Sequence, residues 1–144
     1  MIKFNNFNTE YNFIKSEIDA SIARVISSGW YILGIELSNF EKLFSKYLNA
    51  NYCVGVGSGT DALTISLMSL NIGKGDEVIT TSLTAYPTII GILNSGAKPV
   101  LVDVYKSNAL MDVEKIEANI NKKTKAIMPV HLFGQSCDMN MIKK

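Results

Sequence analysis

Glycines alternate with small or apolar residues through Gly55-Val56-Gly57-Ser58-Gly59-Thr60, and Asp61-Ala62-Leu63 follows. The apolar stretch from Tyr52 to Val56 reads as a short buried strand, and Leu63, Leu67 and Leu70 recur at helical spacing behind it. A turn so poor in side chains leaves backbone N–H groups exposed at the positive end of the following helix. That arrangement suits a phosphate or another anion. The same glycines also serve as a packing device, since they let a helix and a strand approach closely, so the turn alone leaves both readings open. A dinucleotide fingerprint fits poorly: Thr60 stands where the third glycine belongs, and Thr80-Thr81-Ser82 occupies the place of the expected acid. The P-loop is excluded by the absence of Gly-Lys-Ser or Gly-Lys-Thr.

The elements that must hold this turn follow a strand-then-helix rhythm from Tyr52 onward. The helix after Thr60 runs to about Leu70, Gly73-Lys74-Gly75-Asp76 turns the chain, and Glu77 to Thr81 is a strand. A helix near Thr88 to Asn94 closes at Ser95-Gly96, and Pro99 introduces a strand from Val100 to Val104. Asp112 caps a predicted helix carrying Val113, Ile116 and Ile120, and Ala126 to Val130 is a fourth strand. Four short strands separated by helices predict an α/β fold, a mostly parallel sheet with helices on both faces. Ahead of it, residues 1–50 hold two amphipathic helices. Phe13 to Ser28 carries Ile14, Ile18, Ile22 and Val25 or Ile26 on one face and ends at Ser28-Gly29. Leu37, Phe40, Phe44, Tyr47 and Leu48 form a stripe expected to face a core, with the aromatic connection Trp30 to Gly34 between the two helices. Residues 51–144 are the sheet region.

Ligands of such sheets gather at the carboxyl ends of the strands. Four loops should therefore border one crevice: Gly57 to Thr60, Ser82 to Pro87, Asp103 to Lys106 and His131 to Gln135. They bring amides, an aromatic at Tyr86, a carboxylate at Asp103, an imidazole at His131 and a side-chain amide at Gln135. Each has a plainer reading. Tyr86 before Pro87 can be a packing residue, Asp103 a turn residue, His131 a hydrogen-bonded structural histidine and Gln135 an exposed loop residue.

Composition sets the outer limits. The 144 residues are 47% hydrophobic and 19% charged with a formal net charge of +1, which describes one soluble globular domain with no basic stripe for nucleic acid. Any anion must then be held by local geometry. Cys53 and Cys137 lie far apart in a chain with one histidine, so neither a disulfide nor a metal site is expected. No run approaches the length of a membrane span and no signal peptide opens the sequence, which makes a cytoplasmic location the default expectation.

The ordered set Gly57-Ser58-Gly59-Thr60-Asp61-Ala62-Leu63, Gly73-Lys74-Gly75-Asp76-Glu77-Val78-Ile79, Gly96-Ala97-Lys98-Pro99-Val100 through Asp103, Thr124-Lys125-Ala126-Ile127 and Pro129-Val130-His131-Leu132-Phe133-Gly134-Gln135 resembles the DegT family of nucleotide-sugar aminotransferases. The resemblance spans nearly the whole chain. It implies the amino-terminal part of a large domain of the aspartate-aminotransferase type, which binds pyridoxal 5'-phosphate and works as a homodimer. Ser58, Gly59 and Thr60 would hold the cofactor phosphate, Tyr86 would stack on the pyridine ring, and Gln135 would lie near the cofactor's phenolic oxygen or the substrate. The reaction implied moves an amino group from an amino-acid donor, glutamate, to a nucleotide-linked keto-sugar. The Thr84-Ala85-Tyr86-Pro87-Thr88 variant looks most like the branch acting on dTDP-3-keto-6-deoxyhexoses. The family's Schiff-base lysine and its pyridine-nitrogen acid fall beyond Lys144, so no catalytic residue is assigned and the chain reads as a fragment. A sugar dehydratase of the same family and a non-catalytic remnant are the alternatives.

Overall fold

The computed structural model describes residues 4–144, which divide into two compact units at Gly55. The first holds α1 (Phe7–Ser28) and α2 (Ile35–Tyr47). Gly29 ends α1 in the left-handed region at φ 67°, its N–H donating to the Ile26 carbonyl, the usual way a glycine closes a helix. Neither helix buries a residue. The stripe expected to face a core is thus exposed, with Phe40 at 51% and Tyr47 at 83%. Phe40, Phe44 and Tyr47 instead stack on one another along the helix, at centroid separations of 5.3 and 6.4 Å. Amphipathic spacing identifies a face that wants burial, but this unit supplies no second layer to bury it.

The second unit contains α3 (Gly59–Ser69), β1 (Glu77–Thr81), α4 (Tyr86–Asn94), β2 (Lys98–Val102), β3 (Thr124–Met128) and a short α5 (Met139–Ile142). The three strands are parallel in the order β2-β1-β3. β1 is central, and its Glu-Val-Ile-Thr-Thr sequence is buried on both faces, as the middle strand of a covered parallel sheet must be. Val78 packs with Leu67, Ile72, Ile92 and Ala97 under α3 and α4. Its neighbour Ile79 points the other way, into Val102, Leu110, Met111, Ile116 and Cys137. The α/β class with both faces covered is therefore the observed one. Crossover handedness explains the two layers: β1 to β2 moves one way across the sheet through α4, β2 to β3 moves back past β1, and right-handed connections in opposite directions use opposite faces.

Other expectations fail as well. Residues 52–56 form no strand, and Tyr52 and Val54 are 88% and 77% exposed. Alternating apolar residues become a strand only when another backbone pairs with them, and the sheet contains three strands, not four. The segment after Asp112 is not a helix but two 3₁₀ turns, Val113–Lys115 and Glu117–Asn119. Asp112 does cap it, accepting from the Glu114 N–H, but the Asn119 side chain takes the Lys115 carbonyl and the bonds run i to i+3. So short a segment does not offset helix nucleation. Finally, Pro99 lies inside β2, which starts at Lys98; β2 is an edge strand, where a missing N–H is tolerated.

At the edge where the strands begin, Glu77 accepts from Asn121 Nδ2 at 2.7 Å and faces Lys98 Nζ at 3.6 Å. The Asn121 hydrogen bond first, and the Lys98 charge after it, hold its carboxyl below the ordinary value of 4.5. A depressed folded-state pKa contributes stability that is present above the unfolded value and is lost as pH falls through the folded one. Thermal unfolding between about pH 3 and pH 7 should therefore show the parent losing stability with acid more steeply than Glu77→Gln. Parallel curves would show that Glu77 plays no part.

Candidate functional site

The chemistry-bearing loops meet where the strands end. Ser82 to Ala85 leaves β1 toward α4 on one face, whereas His131 to Gln135 leaves the neighbouring β3 toward α5, whose Met139 and Ile142 pack on the other face. Adjacent strands whose exits diverge leave a crevice between them. α3 reaches this edge by its direction. Leu67, near its carboxyl end, packs with Ile72, Val78 and Ala97 beside the starts of β1 and β2. The helix and β1 are each about 16 Å long, so Ser58 to Thr60 come level with the strand ends. α4 guides that placement. A Cβ on Gly91 would stand 2.8 Å from the Cβ of Leu63, so only glycine lets the two helices lie this close.

The turn itself is organised by a Ser-x-x-Asp spacing, a helix-start signal that hydrophobic patterning does not bring out. Ser58 Oγ accepts from the Asp61 N–H at 3.1 Å and donates to Asp61 Oδ2 at 2.9 Å, while the Ser58 carbonyl accepts from the Ala62 N–H. Among the described residues, the N–H groups of Gly59 and Thr60 and the Thr60 hydroxyl donate to no other protein atom. A Cβ at Gly59 would meet nothing within 4 Å. The result is a helix N-terminus with two free amides and the free Thr60 hydroxyl, which fits a phosphoryl group.

The other candidates fall into two groups. Tyr86, the first residue of α4, is 76% exposed, and Gln135 is exposed at the end of the 3₁₀ turn Leu132–Gly134. Both stand at the strand-end edge and neither side chain is tied to protein, but no hydrogen bond among the described residues joins them to Ser58, Gly59 or Thr60. Behind Tyr86, Thr84 and Thr88 share a 2.7 Å hydroxyl contact that fixes the start of α4, an i, i+4 pairing that no apolar periodicity announces. Asp103 and His131 are hydrogen-bonded within their own loops. Asp103 caps its own turn through the Val104 N–H at 2.9 Å, which with Lys115 at 3.6 Å holds its carboxyl below the usual range. His131 Nδ1 accepts from the Cys137 N–H at 3.1 Å, and Cys137 Sγ donates to the Val130 carbonyl, which pins the loop after β3.

No group of three or more His, Cys, Asp or Glu among the described residues is placed to hold a metal ion, and both cysteines are free. No helix there is long and apolar enough to cross a membrane. The lysines that flank the strands, Lys74, Lys98, Lys122, Lys123 and Lys125, lie at the edge where strands begin, opposite the crevice.

Solved structures share this fold. DesV of S. venezuelae, solved in complex with a ketimine intermediate, superposes with a TM-score of 0.94 at 39% identity, over 99% of this chain and 38% of that one. NtdA of Bacillus subtilis, solved with bound cofactor PMP, gives a TM-score of 0.87 at 37% identity, over 92% and 30%. The chain belongs to the DegT/DnrJ/EryC1/StrS aminotransferase family, which it matches over residues 12–144. A curated relative, the dTDP-3-amino-3,6-dideoxy-alpha-D-galactopyranose transaminase of Aneurinibacillus thermoaerophilus, is 49% identical over 128 residues, which are 89% of this chain and 35% of that protein. The chain thus spans little more than a third of the length of that relative.

Proposed function

We infer that this chain supplies the cofactor-phosphate clamp of a pyridoxal-phosphate-dependent aminotransferase acting on a nucleotide-linked keto-sugar. The single observation that carries this reading is the start of α3: free Gly59 and Thr60 amides beside the Ser58 and Thr60 hydroxyls, at the carboxyl edge of the sheet. Names among the relatives support the substrate class, a dTDP-linked 3-keto-6-deoxyhexose. Glutamate as amino donor and a homodimeric assembly complete the reading. When bound, the cofactor supplies the electron sink that makes amino transfer possible. This chain's part is to orient it: the Gly59 and Thr60 amides and the Thr60 hydroxyl donate hydrogen bonds to the phosphate while Ser58 holds the helix start, Tyr86 offers a face for the ring, and Gln135 offers an amide for a ring substituent or the substrate. None of the lysines in this chain is assigned to bind the cofactor covalently: the strand-flanking lysines lie at the opposite edge, Lys115 is engaged by Asp112 and Asp103, and Lys106 is an exposed charge in the turn after β2, which the borohydride test below must find unmodified.

Equilibrium dialysis against pyridoxal phosphate and pyridoxal tests this. The chain should retain the phosphorylated form preferentially, inorganic phosphate should displace it, and borohydride should trap no adduct on any lysine. Equal retention of pyridoxal would remove the phosphate clamp, and a trapped lysine would overturn the assignment of the amine.

A further inference from the structure

The corner between α1 and α2 encloses a cavity of about 220 Å³ that the phosphate clamp does not use. Trp30, Tyr31 and Leu33 line it, together with Arg24, Ser28 and Glu36. Trp30 and Tyr31 are 63% and 67% exposed, yet the backbone of the corner that carries them and the Tyr31 hydroxyl are hydrogen-bonded. The Trp30 N–H donates to Ser28 Oγ at 3.1 Å, Ser28 Oγ donates to the Val25 carbonyl, and Tyr31 OH reaches the Ile26 carbonyl at 3.4 Å. Leu33 sits in the left-handed region at φ 52°, and Gly34 cannot be larger because a Cβ there would come 2.9 Å from the Trp30 carbonyl oxygen. Two adjacent aromatic rings are thus presented at the surface by a fixed corner, where folding alone would favour burying them.

The rim adds polarity with a pattern. Arg24 Nε donates to Glu36 Oε1 at 2.9 Å and Arg24 Nη2 donates to Ser21 Oγ at 2.9 Å. Among the described residues Arg24 Nη1 and Glu36 Oε2 make no hydrogen bond to protein, so the lining keeps a donor and an acceptor on two ion-paired residues. Pockets for drug-sized ligands run from about 300 Å³ upward, so this one has room for a single ring and not for a whole nucleotide. Aromatic side chains stack on nucleobases, and an imide edge, with its N–H between two carbonyls, matches an arginine donor beside a carboxylate acceptor.

We propose that the α1–α2 corner is a nucleobase subsite, in which Trp30 and Tyr31 stack on the pyrimidine ring of the nucleoside diphosphate carrying the sugar and Arg24 and Glu36 read its imide edge. The inference rests on the nucleotide-sugar reading above and names the part of the substrate that this corner takes.

Trp30 is the sole tryptophan of the chain, so its emission reports on the site directly. Titration with dTDP should quench it saturably, while inorganic pyrophosphate should leave it unchanged. Tyr31→Ala should weaken dTDP about tenfold. Tyr31→Phe, which keeps the ring, should bind like the parent, and circular dichroism on both variants separates loss of stacking from loss of helix. Quenching by pyrophosphate equal to that by dTDP, or no quenching by dTDP, overturns the subsite. So does concentration-dependent self-association that shifts the Trp30 emission to the blue without nucleotide, which would make the corner a contact with a second copy. Retention of pyridoxal phosphate without dTDP quenching sinks this inference alone, and dTDP quenching without pyridoxal phosphate retention sinks the clamp instead.

Discussion

Gly59→Pro is expected to lower the affinity for pyridoxal phosphate about 10- to 100-fold while shifting unfolding by no more than about 0.5 kcal/mol. Gly59 is the first residue of α3, where proline's fixed φ fits and its missing N–H breaks no intrahelical bond. Ser58 before it is already extended, at φ −159° and ψ 163°, the region that a following proline prefers. The ring has room, since nothing lies within 4 Å of a Cβ at Gly59. The substitution therefore deletes one amide donor and little else, and a hydrogen bond to a charged group is worth about 1.5–3 kcal/mol. Gly59→Ala keeps the N–H and should bind like the parent. Dialysis of the two variants side by side is the measurement. An equal loss in both would mean that bulk, not the amide, controls the site, and no loss in either would place the phosphate elsewhere.

That experiment is possible because the glycine-rich turn is legible in the sequence: Ser58 to Thr60 have to open a helix, and they do. β1 is equally plain, since an unbroken apolar and β-branched run after Gly73-Lys74-Gly75-Asp76 has few other uses. Less can be read where one residue's state depends on a distant backbone. Tyr52 to Val56 alternates like a strand, but pairing is not a property of the segment, and in this chain the segment stays unpaired. The apolar stripe of α2 marks a surface and not what covers it. Asp112 reads as a cap and is one, yet the 3₁₀ geometry of residues 113–119 is decided by Asn119 competing for a carbonyl, a local contest that hydrophobic spacing does not register. His131 and Asp103 arrive at the strand ends as expected and hold loops together there, because the Cys137 N–H and the Val104 N–H need acceptors. Asp61 as the partner of Ser58 could have been inferred from the Ser-x-x-Asp spacing, which marks helix starts independently of any apolar pattern.

Ile92→Ala is expected to have the largest effect on stability, about 2–5 kcal/mol. Ile92 is fully buried where α4 meets the sheet, against Leu67, Ile72, Val78 and Ala97, and truncation removes contacts that no neighbour can replace without moving a helix. Ile92→Val should cost only about 0.5–1.5 kcal/mol, which separates cavity formation from any general sensitivity of α4. Urea titration of the three proteins measures the series, with an unchanged slope as the sign that only the native packing has altered. The two alanine and proline variants should also part company at the clamp. Gly91 holds α3 against α4, so a loosened α4 weakens phosphate binding only through the fraction of chains that unfold. At a temperature where Ile92→Ala remains folded, it should retain pyridoxal phosphate nearly as well as the parent, whereas Gly59→Pro should not. If Ile92→Ala instead lost the cofactor while still fully folded, the position of α3 would depend on α4 packing more finely than the Gly91–Leu63 contact alone requires.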